Sequence, residues 1–161
     1  MSVRAVLFAV LATLAACSPM TADAGQKTAA AAPARHPESG LEVVPLSIAS
    51  ANGRHAFRVE VARSEPEQAK GLMFRTAMGA NDGMIFPMEP ARQASFWMKN
   101  TVMALDLVFI GPDKRIESIS ANAVPYSLSP IGSKGSVSAV LELNAGRAAQ
   151  LGLAPGDRVE W

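Results

Sequence analysis

From residue 41 to residue 161 apolar residues recur at every second position, in short runs separated by turn residues. That period belongs to strands with one face turned to a core. Phe57, Val59 and Val61 alternate with Arg58 and Glu60; Leu105, Leu107 and Phe109 repeat the pattern, and Val137, Ala139, Leu141 and Leu143 do so again. Gly111-Pro112-Asp113-Lys114 lies between the run 105–110 and the run 115–119. Proline second and aspartate third suit a type I turn, so a hairpin is expected there.

Two short helices are expected among the strands. Ser64-Glu65-Pro66-Glu67 has the form of a capping box, with Pro66 in the first turn where its missing N–H is not needed. This helix should run to about Leu72. A second is predicted from Asn144 as N-cap to Leu151, stopped by Gly152. Pro155-Gly156-Asp157 then turns the chain into a last strand, residues 158–161. Many short strands with one or two short helices predict a compact, mainly β sandwich or closed barrel rather than an α/β sheet.

The first 40 residues have a different character. Arg4 is followed by an apolar stretch from Val6 to Leu14, too short to span a bilayer, which takes roughly 20 residues, and of signal-peptide length. It ends in Leu14-Ala15-Ala16-Cys17, a bacterial lipobox, and Cys17 is the chain's single cysteine. Residues 1–16 are thus expected to be a lipoprotein signal peptide, with Cys17 acylated and holding the chain to a membrane. An ordinary secretory signal, cut after Ala22-Asp23-Ala24, is the alternative. Ser18 stands where Asp would favour inner-membrane retention, which points to the outer membrane of the cell envelope. Residues 17–40 are rich in Ala, Pro, Ser and Thr and read as a disordered tether, with a short helix at 29–32 as the other reading. One domain, residues 41–161, is left to fold. One cysteine allows no intrachain disulfide. A net charge of +1, supplied by Arg4, argues against a nucleic-acid partner.

Several strings occur in one order: Gly71-Leu72-Met73-x-Arg75, Gly83-Met84-Ile85-Phe86 and Phe96-Trp97-Met98-Lys99-Asn100-Thr101. Leu105-Asp106, Pro125, Val140-Leu141-Glu142-Leu143, Gly146 and Gly156-Asp157 follow. In these the chain resembles the domain-of-unknown-function 192 family over about residues 43–161. The resemblance implies a compact jelly-roll or barrel fold in exported or membrane-tethered bacterial proteins. It implies no activity.

Arg75, Lys99, Asn100, Thr101, Asp106 and Glu142 form the candidate polar cluster. Asp106 and Glu142 each interrupt an apolar run, so each is costly unless paired, with Lys99 and Arg75 as natural partners. Such a cluster reads first as a structural salt-bridge network. It reads next as a pocket in which Lys99 or Arg75 receives an anionic group of a small ligand or envelope component. Third, it could be an envelope hydrolase or lyase with Asp106 or Glu142 as general base and Lys99 stabilising negative charge. No Gly-x-Ser-x-Gly or other nucleophile constellation is present, so the sequence leans away from an enzyme. Trp97 could offer a ring to a ligand. Met73, Met78, Met84, Met88, Met98 and Met103 raise copper binding, against ordinary core filling. His36 and His55 lack partners at metal-ligand spacing, and no cofactor is expected.

Overall fold

The computed structural model describes residues 34–161. The expected signal peptide, Cys17 and the expected tether up to residue 33 lie outside these residues. Residues 34–40, which composition places in the tether, form a turn bound to the domain. The amide of Val43 donates to the carbonyl of Ala34 at 2.7 Å, and Arg35 bridges Glu42.

Seven strands follow: β1 (Val43–Ser50), β2 (Gly53–Val61), β3 (Asp82–Phe96), β4 (Leu105–Ile110), β5 (Ile116–Ala123), β6 (Ile131–Asn144) and β7 (Arg158–Glu160). They make one sheet in the order β5-β4-β6-β3-β2-β1-β7. Every pairing is antiparallel except β2 with β3. A parallel pair needs a crossover. Helix α1 (Glu65–Lys70) and the loop after it supply one. The sheet curls until its edge strands meet: Arg115 bridges Arg158, the Ile116 amide donates to the Asp157 carbonyl at 2.9 Å, and the Val159 amide donates to the Lys114 carbonyl at 2.8 Å. Of the two expected architectures, the structure takes the barrel-like one, built from a single curled sheet.

The predicted 64–67 capping box forms. Ser64 accepts from the Glu67 amide, and the Glu67 carboxylate accepts from the Ser64 amide at 2.8 Å. Those backbone hydrogen bonds also hold the Glu67 carboxyl below its ordinary pKa. Helix α2 (Arg147–Leu151) starts later than expected. Its N-cap is Gly146, at φ 79° and without a side-chain cap; Asn144 still belongs to β6 and donates to the carbonyls of Met78 and Gly79.

Two apolar clusters lie on opposite sides of the sheet. Leu46, Ile48, Phe57, Val59, Val108 and Leu141 belong to the one inside the curl. Leu72, Met84, Phe86, Met98, Leu107 and Val140 belong to the one outside. Strand β4 is buried along its whole length because both of its faces are covered. The 137–143 alternation is not uniform. Ala139, Leu141 and Leu143 face the inside, but Val137 joins the outer cluster. A register shift between Pro87 and Arg92 on β3 lies opposite this point and turns the strand.

Candidate functional site

The outer face of β3, β6 and β4 is covered by three loops, residues 71–79, 97–104 and 124–130. Backbone hydrogen bonds join them. The Phe74 amide donates to the Asn100 carbonyl at 2.9 Å, Met98 to Ser127 at 2.9 Å, and Tyr126 to Thr101 at 3.2 Å. Asn100 sits at φ 55°, a conformation asparagine tolerates better than most residues. Its side-chain amide reaches the sulfur of Met73 at 3.8 Å. Thr101 is buried, and its hydroxyl donates to the Lys99 carbonyl at 3.3 Å. Asn100 and Thr101 therefore hold the loops together.

A cavity of about 310 Å³ opens between α1 with residues 71–73 on one side and residues 92–97 on the other. Leu72, Met73, Phe86, Met88, Phe96 and Trp97 form its apolar walls, and Lys70 and Arg92 are exposed at its mouth. Glu142 lines it from β6. Leu141 and Leu143 turn inward, so Glu142 turns outward, in register with Met84 on one side and Leu107 on the other. Glu142 is 5% exposed and, among the described residues, has no hydrogen-bond or ion-pair partner. Burial alone pushes its carboxyl up to about 8, so it carries a proton near neutral pH.

The rest of the expected cluster is dispersed. Asp106 lies on the opposite face of the sheet, in register with Leu143. Its carboxylate accepts the amides of Asn122 (2.9 Å), Gly146 (3.0 Å) and Ala148 (2.9 Å). It thereby caps α2, which lacks a cap of its own. Arg75 pairs neither with Asp106 nor with Glu142. Its guanidinium clasps Glu60 at 2.9 and 3.1 Å and reaches Glu38 at 3.0 Å; Ser39 donates to Glu60, and His36 lies 3.6 Å from it. Lys99 is exposed and rests its ammonium 5.1 Å from the centre of the Trp97 ring. The two carboxylates of the hydrolase reading thus sit back to back across a sheet, where no substrate bond lies between them.

Of the expected site residues, Trp97, Thr101 and Glu142 line the cavity, and Lys99 lies beside it on Trp97. Phe96 takes the core side of its pair, edge-on to Phe86 with ring centres 5.1 Å apart, and Trp97 stays 51% exposed. Met84, Met88 and Met98 are buried in the outer core, and Met78 and Met103 pack against it. They share that cluster with Leu72, Phe86, Leu105, Leu107 and Phe109. His, Cys, Asp and Glu form no metal-sized group among the described residues. Sequence reading missed Lys70, Arg92 and Glu60. Glu60 was legible as a charge inside the 57–61 alternation, but its partner Arg75 comes from a loop whose path no period predicts.

The family model of domain-of-unknown-function 192, described as an uncharacterized ACR, matches residues 47–161. A protein of unknown function from Novosphingobium aromaticivorans DSM 12444 is similar in structure, with TM-score 0.79 and 56% identity over 82% of this chain and 94% of its own. A candidate transcription regulator from Sinorhizobium meliloti 1021 is similar with TM-score 0.72 and 40% identity, over 74% of this chain and 94% of its own. No curated protein matches. By the extent of the family match, the chain belongs to the domain-of-unknown-function 192 family.

Proposed function

We propose that this protein is a non-catalytic binding module of the cell envelope, which takes a small ligand into the cavity lined by Glu142. One observation carries the reading: a buried carboxyl without a partner among the described residues faces an open cavity. Buried polar groups are almost always satisfied. The Glu142 carboxyl borders the open cavity, so a ligand that enters there can take the place such a partner would hold. A protonated carboxyl donates one hydrogen bond and repels no anion. The apolar walls and the cations Lys70 and Arg92 at the mouth suit an apolar ligand that carries a negative charge at its outer end and an acceptor at its inner end.

The probe 1-anilinonaphthalene-8-sulfonate supplies two of these features, the apolar body and the negative charge. It should fluoresce with the wild type and lose that signal with Ser95→Trp, which fills the cavity from its exposed wall. Equal fluorescence from both proteins would refute the site.

The envelope part of the proposal rests on residues 1–33: a signal peptide at 1–16, an acylated Cys17 and a tether to the outer membrane. Mass spectrometry of the N-terminal peptide tests it, and an unmodified Cys17 in the mature chain would refute it. The regulator description of the Sinorhizobium relative would call for nucleic-acid binding. A net charge of +1 gives no basic footprint for it, and neither described helix, of six and five residues, has the length of a recognition helix.

A further inference from the structure

Six large apolar side chains are exposed among the described residues: Phe74, Trp97, Val102, Val124, Tyr126 and Leu128. All six lie on the three loops that cover the outer face of the sheet. Those loops are joined by the backbone hydrogen bonds given above, so the six side chains belong to one face. A groove between Trp97 and Leu128 links two of the loops further. Scattered apolar residues on a surface need no explanation, but their collection on one face does.

Two details give this face a direction. Phe74 and Tyr126 adopt φ 64° and 61°, a conformation costly for aromatic residues. They are nevertheless 66% and 60% exposed, with Leu128 at 64% and Val124 at 67%. The amides of these two residues are the ones that join the loops, so the joined loops hold both rings in water at a backbone cost. The second detail is charge. Residues 71–79, 97–104 and 124–130 contain no Asp or Glu. Lys99 stands on Trp97, and Lys70 and Arg92 are exposed beside the loops, none of the three in a salt bridge among the described residues.

We propose that the three-loop face docks on an anionic lipid surface. Its aromatic tips enter the interfacial region, and Lys99 with its neighbouring cations meets the headgroups. Trp and Tyr favour that region, and each lysine near an anionic surface adds attraction. A flat protein partner fits less well, because the centre of such an interface is depleted in charge, whereas Lys99 stands on Trp97 in the middle loop. This face borders the Glu142 cavity, with which it shares Trp97 and the flanking cations Lys70 and Arg92; the test reads Trp97 against lipid rather than a ligand in the cavity, so either reading can fail alone.

The test uses the full-length chain with vesicles of phosphatidylglycerol and phosphatidylcholine, brominated in their acyl chains. The chain has two tryptophans, Trp97 and Trp161, and a Trp97→Phe variant supplies the Trp161 signal to subtract. An N-terminal anchor would bring the protein to any vesicle, but only docking of this face brings Trp97 within reach of bromine. The expected result is loss of Trp97 emission with anionic vesicles and not with phosphatidylcholine alone. Lys99→Gln should weaken this binding about fivefold. Combining Phe74→Asn with Leu128→Ser should abolish the quenching while the Tm stays level or rises, since asparagine accepts the φ that strains Phe74. Unquenched Trp97 on a chain that sediments with the vesicles would overturn the proposal. So would equal quenching by both lipids, a lowered Tm in the double variant, or vesicle-free self-association that Phe74→Asn removes.

Discussion

Replacing Glu142 by glutamine tests the cavity directly. The carboxyl titrates at about 8 in the folded chain against 4.5 for an ordinary glutamate. In the unfolded chain it loses its proton near 4.5, whereas the folded chain keeps it until about pH 8. Between those values the folded state binds one proton more than the unfolded state, so stability falls as pH rises. At about 1.4 kcal/mol per pH unit the full effect is about 5 kcal/mol, complete above pH 8 and absent below 4.5. Glutamine has nearly the same shape and no charge to bury. Glu142→Gln should therefore match the wild type near pH 4.5, exceed it increasingly up to about pH 8, and hold a level advantage of at most about 5 kcal/mol above that. Urea denaturation at half-unit pH steps reads this difference. Every other carboxylate titrates alike in the two proteins, so subtracting the curves isolates residue 142. Parallel stability curves from pH 5 to 9 would show that Glu142 is solvated or paired, and the argument for a ligand site would fall with them.

Asp106→Ala leaves three backbone amides without an acceptor and should cost about 3 kcal/mol or more, with faster hydrogen exchange at Ala148; a loss under about 1 kcal/mol would deny the capping role. Arg75→Met strands Glu60 in the interior and should cost about 3–5 kcal/mol, while adding Glu60→Leu should restore most of it; no recovery in the double variant would mean that packing of the arginine stem matters more than the charge. Gly83→Ala places a methyl group 2.7 Å from the backbone carbonyl oxygen of Glu142, which cannot swing away. It should destabilise by about 1–3 kcal/mol in thermal melts, and an unchanged Tm would contradict the close packing of β3 on β6.

The legible parts of this chain were those set by local periods. The 57–61 alternation became β2 with Phe57, Val59 and Val61 inside, and Ser64 capped α1, because period-2 patterning and capping act within a few residues. The turn at 111–114 joined β4 to β5 for the same reason. What stayed hidden was set by pairings far apart in sequence. Asp106 resembled a residue in search of a cation, yet its partners are amides, and amides carry no sequence signature. Arg75 found Glu60 because the residue 71–79 loop returns over β2 (Gly53–Val61). Glu142 was correctly singled out as a carboxylate in an apolar strand, but only the structure shows that the opposing wall stands back and leaves a cavity.

The two carboxylates show how one sheet separates stability from function. Asp106 and Glu142 lie on neighbouring strands, β4 and β6, and differ by a single step in register. That step puts one inside the curl and the other outside. Inside, packing is tight, and Asp106 is accommodated because three amides donate to its carboxylate oxygens. Outside, the cover consists of loops rather than a second sheet, and loops leave gaps. Glu142 faces such a gap, its carboxyl pushed up by burial and without a partner among the described residues. The same loops carry the strained and exposed aromatics. A carboxyl with no structural role costs nothing to replace by leucine on this face, since its neighbours Met84 and Leu107 are apolar. Glu142→Leu should then be more stable than the wild type at pH 8 and should bind the naphthalene sulfonate probe no more tightly. If it instead folds less well, the carboxyl has a partner within the protein and serves the fold.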